Sequence, residues 1–219
     1  MQERKPTELR QTEIVDAAMR ILAFQGARRF TAQLIGEQVG VTAGAIFRHF
    51  KTMDAIGDAI IDRLEAILFQ GFPPKEGDAI ERLGVFFRQR VQTIVANPHI
   101  SSILLTDHLA QTAGQARANR LKMFKQRSRN FVLACLREAR RTGTLRGNAG
   151  TQEGAILVLG AIFALAHARM RTQDGAAIER LARSVWSVIE STLRGIGRPD
   201  KKRLSGKPGR KTRRDFERK

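Results

Sequence analysis

The chain of 219 residues has a single cysteine, Cys135, a single tryptophan and no tyrosine. One cysteine excludes an internal disulfide and suits a reducing cytoplasm. In the setting FVLACL it reads as a small hydrophobe rather than a redox sensor. Alternating runs of β-branched residues are missing, so no strands are expected. No Gly-rich phosphate loop, nucleophile elbow or Cys–His signature occurs, and the histidines at 49, 99, 108 and 167 lack ligand spacing. Nothing argues for an enzyme, a metal or a cofactor. The longest strongly apolar stretch, Ala155 to Ala166, is 12 residues, too short to span a bilayer. The opening MQERKPTELRQTE lacks the apolar core of a signal peptide. The expectation is a soluble, cytoplasmic protein without a membrane partner.

What is present is positive charge. Lys and Arg number 39 against 21 Asp and Glu, a net of +18. From Arg198 to Lys219 eleven basic residues face three acids, a net of +8, so residues 1–197 keep +10. Such an excess repels itself unless an anionic partner sits opposite, and nucleic acid or an anionic membrane are the usual ones. The final segment has almost no apolar residues and is expected to be disordered. It is either a solvated end or a source of sequence-independent DNA affinity through counterion release.

The periodicity predicts an all-α protein of about nine helices. The first covers Thr7 to Gln25, with Ile14, Ala17, Ala18, Ile21, Leu22 and Phe24 as its apolar stripe and Gly26 to end it. Thr31 caps a short second helix that stops before Gly40. Thr42 caps a third over Ala43 to Phe50, and a fourth runs from Met53 to Phe69. After the break GFPPKEG come five more: Asp78–Ala96, His99–Gln111, Gln115–Arg141, Thr151–Arg171 and Ala176–Leu193.

Residues 31–50 fit two short helices joined by a tight turn. Leu34, Ile35, Val39, Val41, Ile46 and Phe50 form the inward set. Ala43, Gly44, Phe47 and Arg48 then lie outward, small at the helix entrance and aromatic or basic one turn later. A helix entering the major groove needs this order. Small residues at 43–45 let the backbone approach, and the amide end favours a phosphate. Arg48 and His49 can reach base edges or phosphates, and Phe47 can pack on the sugar-phosphate backbone.

The segment FTAQLIGEQVGVTAGAIFRHFKTMDAI, Phe30 to Ile56, resembles the DNA-binding domain of TetR-family transcriptional regulators. Thr31 stands where the family opens its second helix, Gly40-Val41-Thr42-Ala43-Gly44 matches its turn, and Phe47-Arg48-His49-Phe50 matches the close of its recognition helix. The resemblance implies DNA contacts from Thr31, Thr42, Ala43, Gly44, Ala45, Phe47, Arg48, His49 and Lys51. Three departures stand out. Gly36 replaces a common Ala and should loosen the second helix. Phe47 replaces a common Tyr, and Met53 a common Lys, so two phosphate contacts are lost. Lys51, Arg28 and Arg29 are the substitutes at hand.

The resemblance also implies a DNA-binding domain over 1–52, a helical effector-binding and dimerisation domain over 53–197, and the basic tail over 198–219. Gly154 to Ala168 is apolar around nearly its whole circumference, so more than one side must be covered. Gly160, Ala164 and Ala168, spaced by four, with Val185, Trp186 and Ile189 on the last helix, form the candidate dimer interface; a monomer core is the alternative. Phe86, Asp107, His108, Met123 and Phe124 are the candidate effector contacts, although Met and Phe at such spacing also make plain core and Asp107–His108 may face solvent. The expected function is a homodimeric repressor released from a palindromic operator by an unknown small hydrophobic or amphipathic effector. The competing reading is a non-regulatory DNA-organising protein bound mainly through charge and its tail.

Overall fold

The computed structural model describes residues 6–106, 109, 115–146 and 150–195. The basic tail therefore lies outside the described residues. Among those described there are nine α-helices and no strand: α1 Thr7–Gln25, α2 Ala32–Val39, α3 Ala43–His49, α4 Met53–Leu68, α5 Ala79–Ala96, α6 Pro98–Leu105, α7 Gln115–Arg141, α8 Thr151–Arg171 and α9 Gly175–Arg194. A single 3₁₀ turn, Ala27–Arg29, links α1 to α2.

Side-chain caps explain most starts. Thr31, Thr42 and Thr52 accept the amides of Leu34, Ala45 and Ala55 at 3.2, 3.2 and 3.1 Å, one for each helix from α2 to α4. Asp78 and Glu81 close a reciprocal capping box at the head of α5. α6 ends sooner than its periodicity implies: Thr106 is extended, and its hydroxyl bonds back to Ser102 O at 2.8 Å.

Two apolar cores divide the helices, and the division does not fall at residue 52. Ile14, Ile21 and Leu22 of α1 pack with Ile35, Ile46, Ile56, Ile60, Leu64, Ile100 and Ile103, so α4 and α6 share one core with α1–α3. The second core joins α5, α7, α8 and α9 around Leu83, Phe86, Val132, Leu136, Val158 and Trp186. Within α1 one expected core residue is misplaced: Phe24 is 67% exposed. It lies on the last turn, at the margin of the stripe, while Val15 and Met19 complete the buried face instead.

α8 corrects a second expectation. The 12-residue run extends at both ends into a 21-residue helix that, by length and composition, is apolar enough to cross a membrane. It packs against α5, α6, α7 and α9, yet only 33% of its apolar window is buried. The remaining apolar face needs a cover.

Because Ile60 is fully buried between α1 and α4, Ile60→Ala is expected to cost about 2–5 kcal/mol. Urea unfolding of the full chain measures it, and the far-UV helical signal should survive below the midpoint.

Candidate nucleic-acid interface and effector region

α2 and α3 meet through a glycine turn. Gly40 takes φ +72°, a left-handed value that ends α2, and the amides of Gly40 and Val41 both bond to Gly36 O. A Cβ at Gly36 would stand 2.6 Å from Val41 O and 3.3 Å from the Thr42 carbonyl carbon. Gly36 is thus the residue that lets the turn fold back onto α2. This revises the expectation that it merely loosens the helix.

Two polar residues of α1 lock the pair in place. Gln11 Nε2 donates to His49 O at 3.1 Å, and Arg10 Nη1 reaches Val39 O at 3.4 Å while pairing with Glu13 at 2.9 Å. Arg10 and Gln11 therefore hold the carbonyl ends of α2 and α3, respectively. The sequence reading missed both. The available signal was their register, four and three residues before Ile14, which extends the buried stripe by one turn.

Three of the four residues expected on the outward face of α3 are so placed, and Ala43 is the exception. Gly44, Phe47 and Arg48 are exposed, Phe47 by 44%, with Thr31, Thr42 and Lys51 exposed around them. Ala43 and Ala45 are half-buried, Ala43 against the N-terminal core. His49 is also half-buried, and its Nδ1 is enclosed without a hydrogen-bond partner. Arg28, Arg29, Arg48 and Lys51 make no ion pair among the described residues. Their charge is not compensated by a carboxylate among the described residues.

The C-terminal half places its expected residues less uniformly. Gly160, Ala164, Val185 and Ile189 line one apolar groove of ≈ 510 Å³ between α8 and α9. Val188 beside them is 65% exposed, and no atom lies within 4 Å of a Cβ built on Gly160. Ala168 packs on the inner core instead. Trp186 faces α5: its ring lies 5.3 Å from Phe87, and its Nε1 donates to Glu190 at 3.1 Å.

The five effector candidates do not converge on one cavity. Phe86 and Phe124 are buried, Met123 is 66% exposed, and Asp107 and His108 lie outside the described residues. Phe124 and Phe86 are the ends of a chain of rings, Phe124–Phe69–Phe72–Phe86, at centroid distances of 5.7, 5.2 and 6.0 Å. Within it sits Arg90, missed by the sequence reading. Its guanidinium lies 5.0 Å from the Phe69 and Phe86 ring centres and donates to Leu68 O and, at 3.3 Å, to Ser128 Oγ. Burial, assisted by the nearby positive Arg127, pushes its pKa down to about 10. Burial likewise raises the Cys135 thiol to about 11, leaving it protonated and poorly nucleophilic near neutral pH.

Along α4 a row of acids faces basic residues of α7. Arg117 pairs with Asp54 and, at 3.3 Å, with Asp58; Arg120 pairs with Asp62 at 2.7 Å and Glu65 at 3.3 Å. Among the described residues no group of three His, Cys, Asp or Glu side chains gathers to hold a metal.

Comparison with known proteins agrees with this geometry. The family model of bacterial regulatory proteins of the tetR family matches residues 14–60. Two curated relatives are nucleoid occlusion factors SlmA. That of Alteromonas mediterranea is 27% identical over 120 residues, 53% of this chain and 62% of its own length. That of Marinomonas sp. is 23% identical over 187 residues, 84% and 94% of the two chains. The match thus spans less than two thirds of the Alteromonas protein. Among solved structures, the MbdR regulator from Azoarcus sp. CIB superposes with a TM-score of 0.69 at 21% identity, covering 83% of this chain and 97% of its own. The transcriptional regulator FadR from Bacillus subtilis, solved with stearoyl-CoA, gives 0.63 at 16% identity, covering 83% and 98%.

The close approach at Gly36 yields a direct test. Gly36→Ala should cost about 1–3 kcal/mol through overpacking and weaken DNA binding further than that loss of stability explains. Thermal unfolding and fluorescence anisotropy on the same preparation compare the two effects; unchanged values for both would remove the role assigned to Gly36.

Proposed function

We propose that this chain is a homodimeric, ligand-responsive repressor of the TetR family, whose model matches its residues 14–60. The observation that carries the reading is the outward face of α3, where Phe47 and Arg48 stand exposed on a helix fixed by Thr42, Gly36 and Gln11, with Lys51 exposed in the turn just beyond it. Such a face suits the major groove. Thr31, Arg28 and Arg29 are positioned to hold the flanking phosphates in place of the contacts that Phe47 and Met53 do not supply. A DNA-binding regulator works where the chromosome is, which places the protein in the cytoplasm.

One copy reads one half-site. Two copies joined through the α8–α9 groove would present two α3 helices to successive major grooves, about 34–36 Å apart, on a palindromic operator. The groove's exposed Ile156, Leu157 and Val188 favour this cover over a monomer core. Release follows if an effector binds more tightly to a dimer whose recognition helices are spaced wrongly. The acidic row of α4 and the arginines of α7 give the route between the halves.

A second reading has support in the nucleoid occlusion factors and in the +18 charge. In it the protein organises DNA without an effector. Genome-wide mapping of binding sites separates the two: a few palindromes beside promoters support regulation, and many dispersed sites without promoter bias support the other.

Arg48→Ala is expected to weaken binding to a recovered operator by about 1–3 kcal/mol, the discrimination of one good side-chain–base contact. Affinity for random duplex should change far less, and equal losses on both duplexes would assign Arg48 to phosphate. Val188→Glu puts a charge in the apolar groove and should convert the dimer to monomers in sedimentation equilibrium while leaving each subunit folded. A dimer that persists would move the interface elsewhere.

A further inference from the structure

We propose that the effector is an anionic amphiphile, an apolar chain ending in a carboxylate or phosphate, whose head binds between Arg90 and Arg127. This rests on the ligand-responsive reading above and names the chemistry of its ligand.

Arg90 is 8% exposed, and its two acceptors, Leu68 O and Ser128 Oγ, are both neutral. No carboxylate pairs with it among the described residues. A guanidinium carries five donors, and a buried charge is normally paired. Arg127 deepens the imbalance. Its guanidinium lies 4.1 Å from the Phe69 ring centre, against the ring that Arg90 also flanks, and its own acid, Glu65, stands 3.6 Å away. Two positive groups thus share one aromatic ring inside the domain. An anion between them would relieve their repulsion and occupy Arg90's remaining donors.

The apolar half of the ligand has its surface too. Phe72, Phe86 and Phe131 lock together at centroid distances of 5.1–6.0 Å beside the arginines. Phe72 comes from the non-helical segment between α4 and α5 rather than from a helix. Its outer side lines a surface cleft of ≈ 440 Å³ with Pro73, Pro74, Lys75 and Val85, while its ring centre is 5.8 Å from Arg90. Displacing that ring joins the cleft to the two guanidiniums, with Lys75 at the entrance. A purely structural role, Arg90 capping the end of α4 at Leu68, leaves that guanidinium without an anionic partner, whereas Arg127 at the same ring has Glu65.

Isothermal titration of the full chain tests this with four probes of equal chain length, each kept monomeric: laurate, dodecyl phosphate, dodecanol and dodecyltrimethylammonium. The two anions are expected to bind at least tenfold more tightly than the alcohol or the cation. Arg127→Gln should lower anion affinity by about tenfold, the loss of one charge-assisted hydrogen bond, without changing dodecanol binding. Arg90→Lys should weaken anion binding, and Arg90→Met should abolish the preference for anions. Arg127 is half-exposed, so its variant decides the matter if Arg90→Met does not fold. Equal binding of all four probes, or anion binding unchanged in Arg127→Gln, overturns the proposal. Release of a recovered operator is measured separately with laurate: binding without release keeps the anion site and removes the effector role.

Discussion

Everything that α3 can do depends on the way α1 is gripped from both sides. Ile14, Ile21 and Leu22 have no solvent exposure and lie in one core with Ile35 and Ile46 of the recognition pair and with Ile56, Ile60, Ile100 and Ile103 of α4 and α6. Ser102 adds a buried hydrogen bond to Ala23 O at 2.7 Å. An apolar core transmits displacement because its side chains interlock at crystal-like density. The DNA-reading unit therefore cannot be displaced as 1–52 alone; α4 and α6 go with it.

α4 then becomes the element on which two demands meet. Its first turn is capped by Thr52 immediately after α3, and its last carbonyls are reached by Arg90 from α5. One face contributes isoleucines to the core with α1, and another offers Asp54, Asp58, Asp62 and Glu65 to the arginines of α7. The Arg117 pairing is the inflexible part. Its side chain is nearly buried, and Gly57 provides the space in which it lies. Removing the acids from such a charge is far costlier than removing an exposed pair. A disturbance at the Phe69 end of α4 has a 16-residue helix, about 24 Å long, through which to reach the end next to α3.

The sequence was most informative where a rule acts over a few residues. Threonine caps, the Gly40 turn and the inward pair Ile46 and Phe50 are local, and the helix limits follow the expected ones closely except at the end of α6. Contacts set by distant chain were harder to read. Nothing near Phe24 says that it turns to solvent while Leu22 and Ala23 of the same turn are buried, and nothing near Trp186 says that Gly84 of α5 leaves a place for its ring. Gly36 looked like a loss of rigidity because a helix glycine usually is one; the meaning of its missing Cβ lies five residues on, at Val41 O. Arg90 was invisible for a different reason. An arginine in a helical pattern reads as solvated, and only the rings of Phe69 and Phe72, brought from the segment after α4, with Phe86 one turn back on its own helix, make it a buried charge.

The departures at Phe47 and Met53 shift how the protein must hold DNA. The family resemblance implies a hydroxyl at 47 and an ammonium at 53 for duplex phosphates, and Phe47 and Met53, the latter packed against the N-terminal core, supply neither. Diffuse charge can replace their contribution to affinity but not their contribution to register, because counterion release does not depend on where along the duplex a lysine sits. With +10 outside the last 22 residues and +8 within them, affinity is abundant. On the dimeric reading proposed above, register comes from the fixed geometry of α3, held by Gln11 at His49 O, and from a second α3 at a set distance. A chain built in that way gains most from dimer spacing. In the same proposal, a ligand that alters that spacing by a small rotation removes the specific part of binding and leaves the nonspecific part untouched.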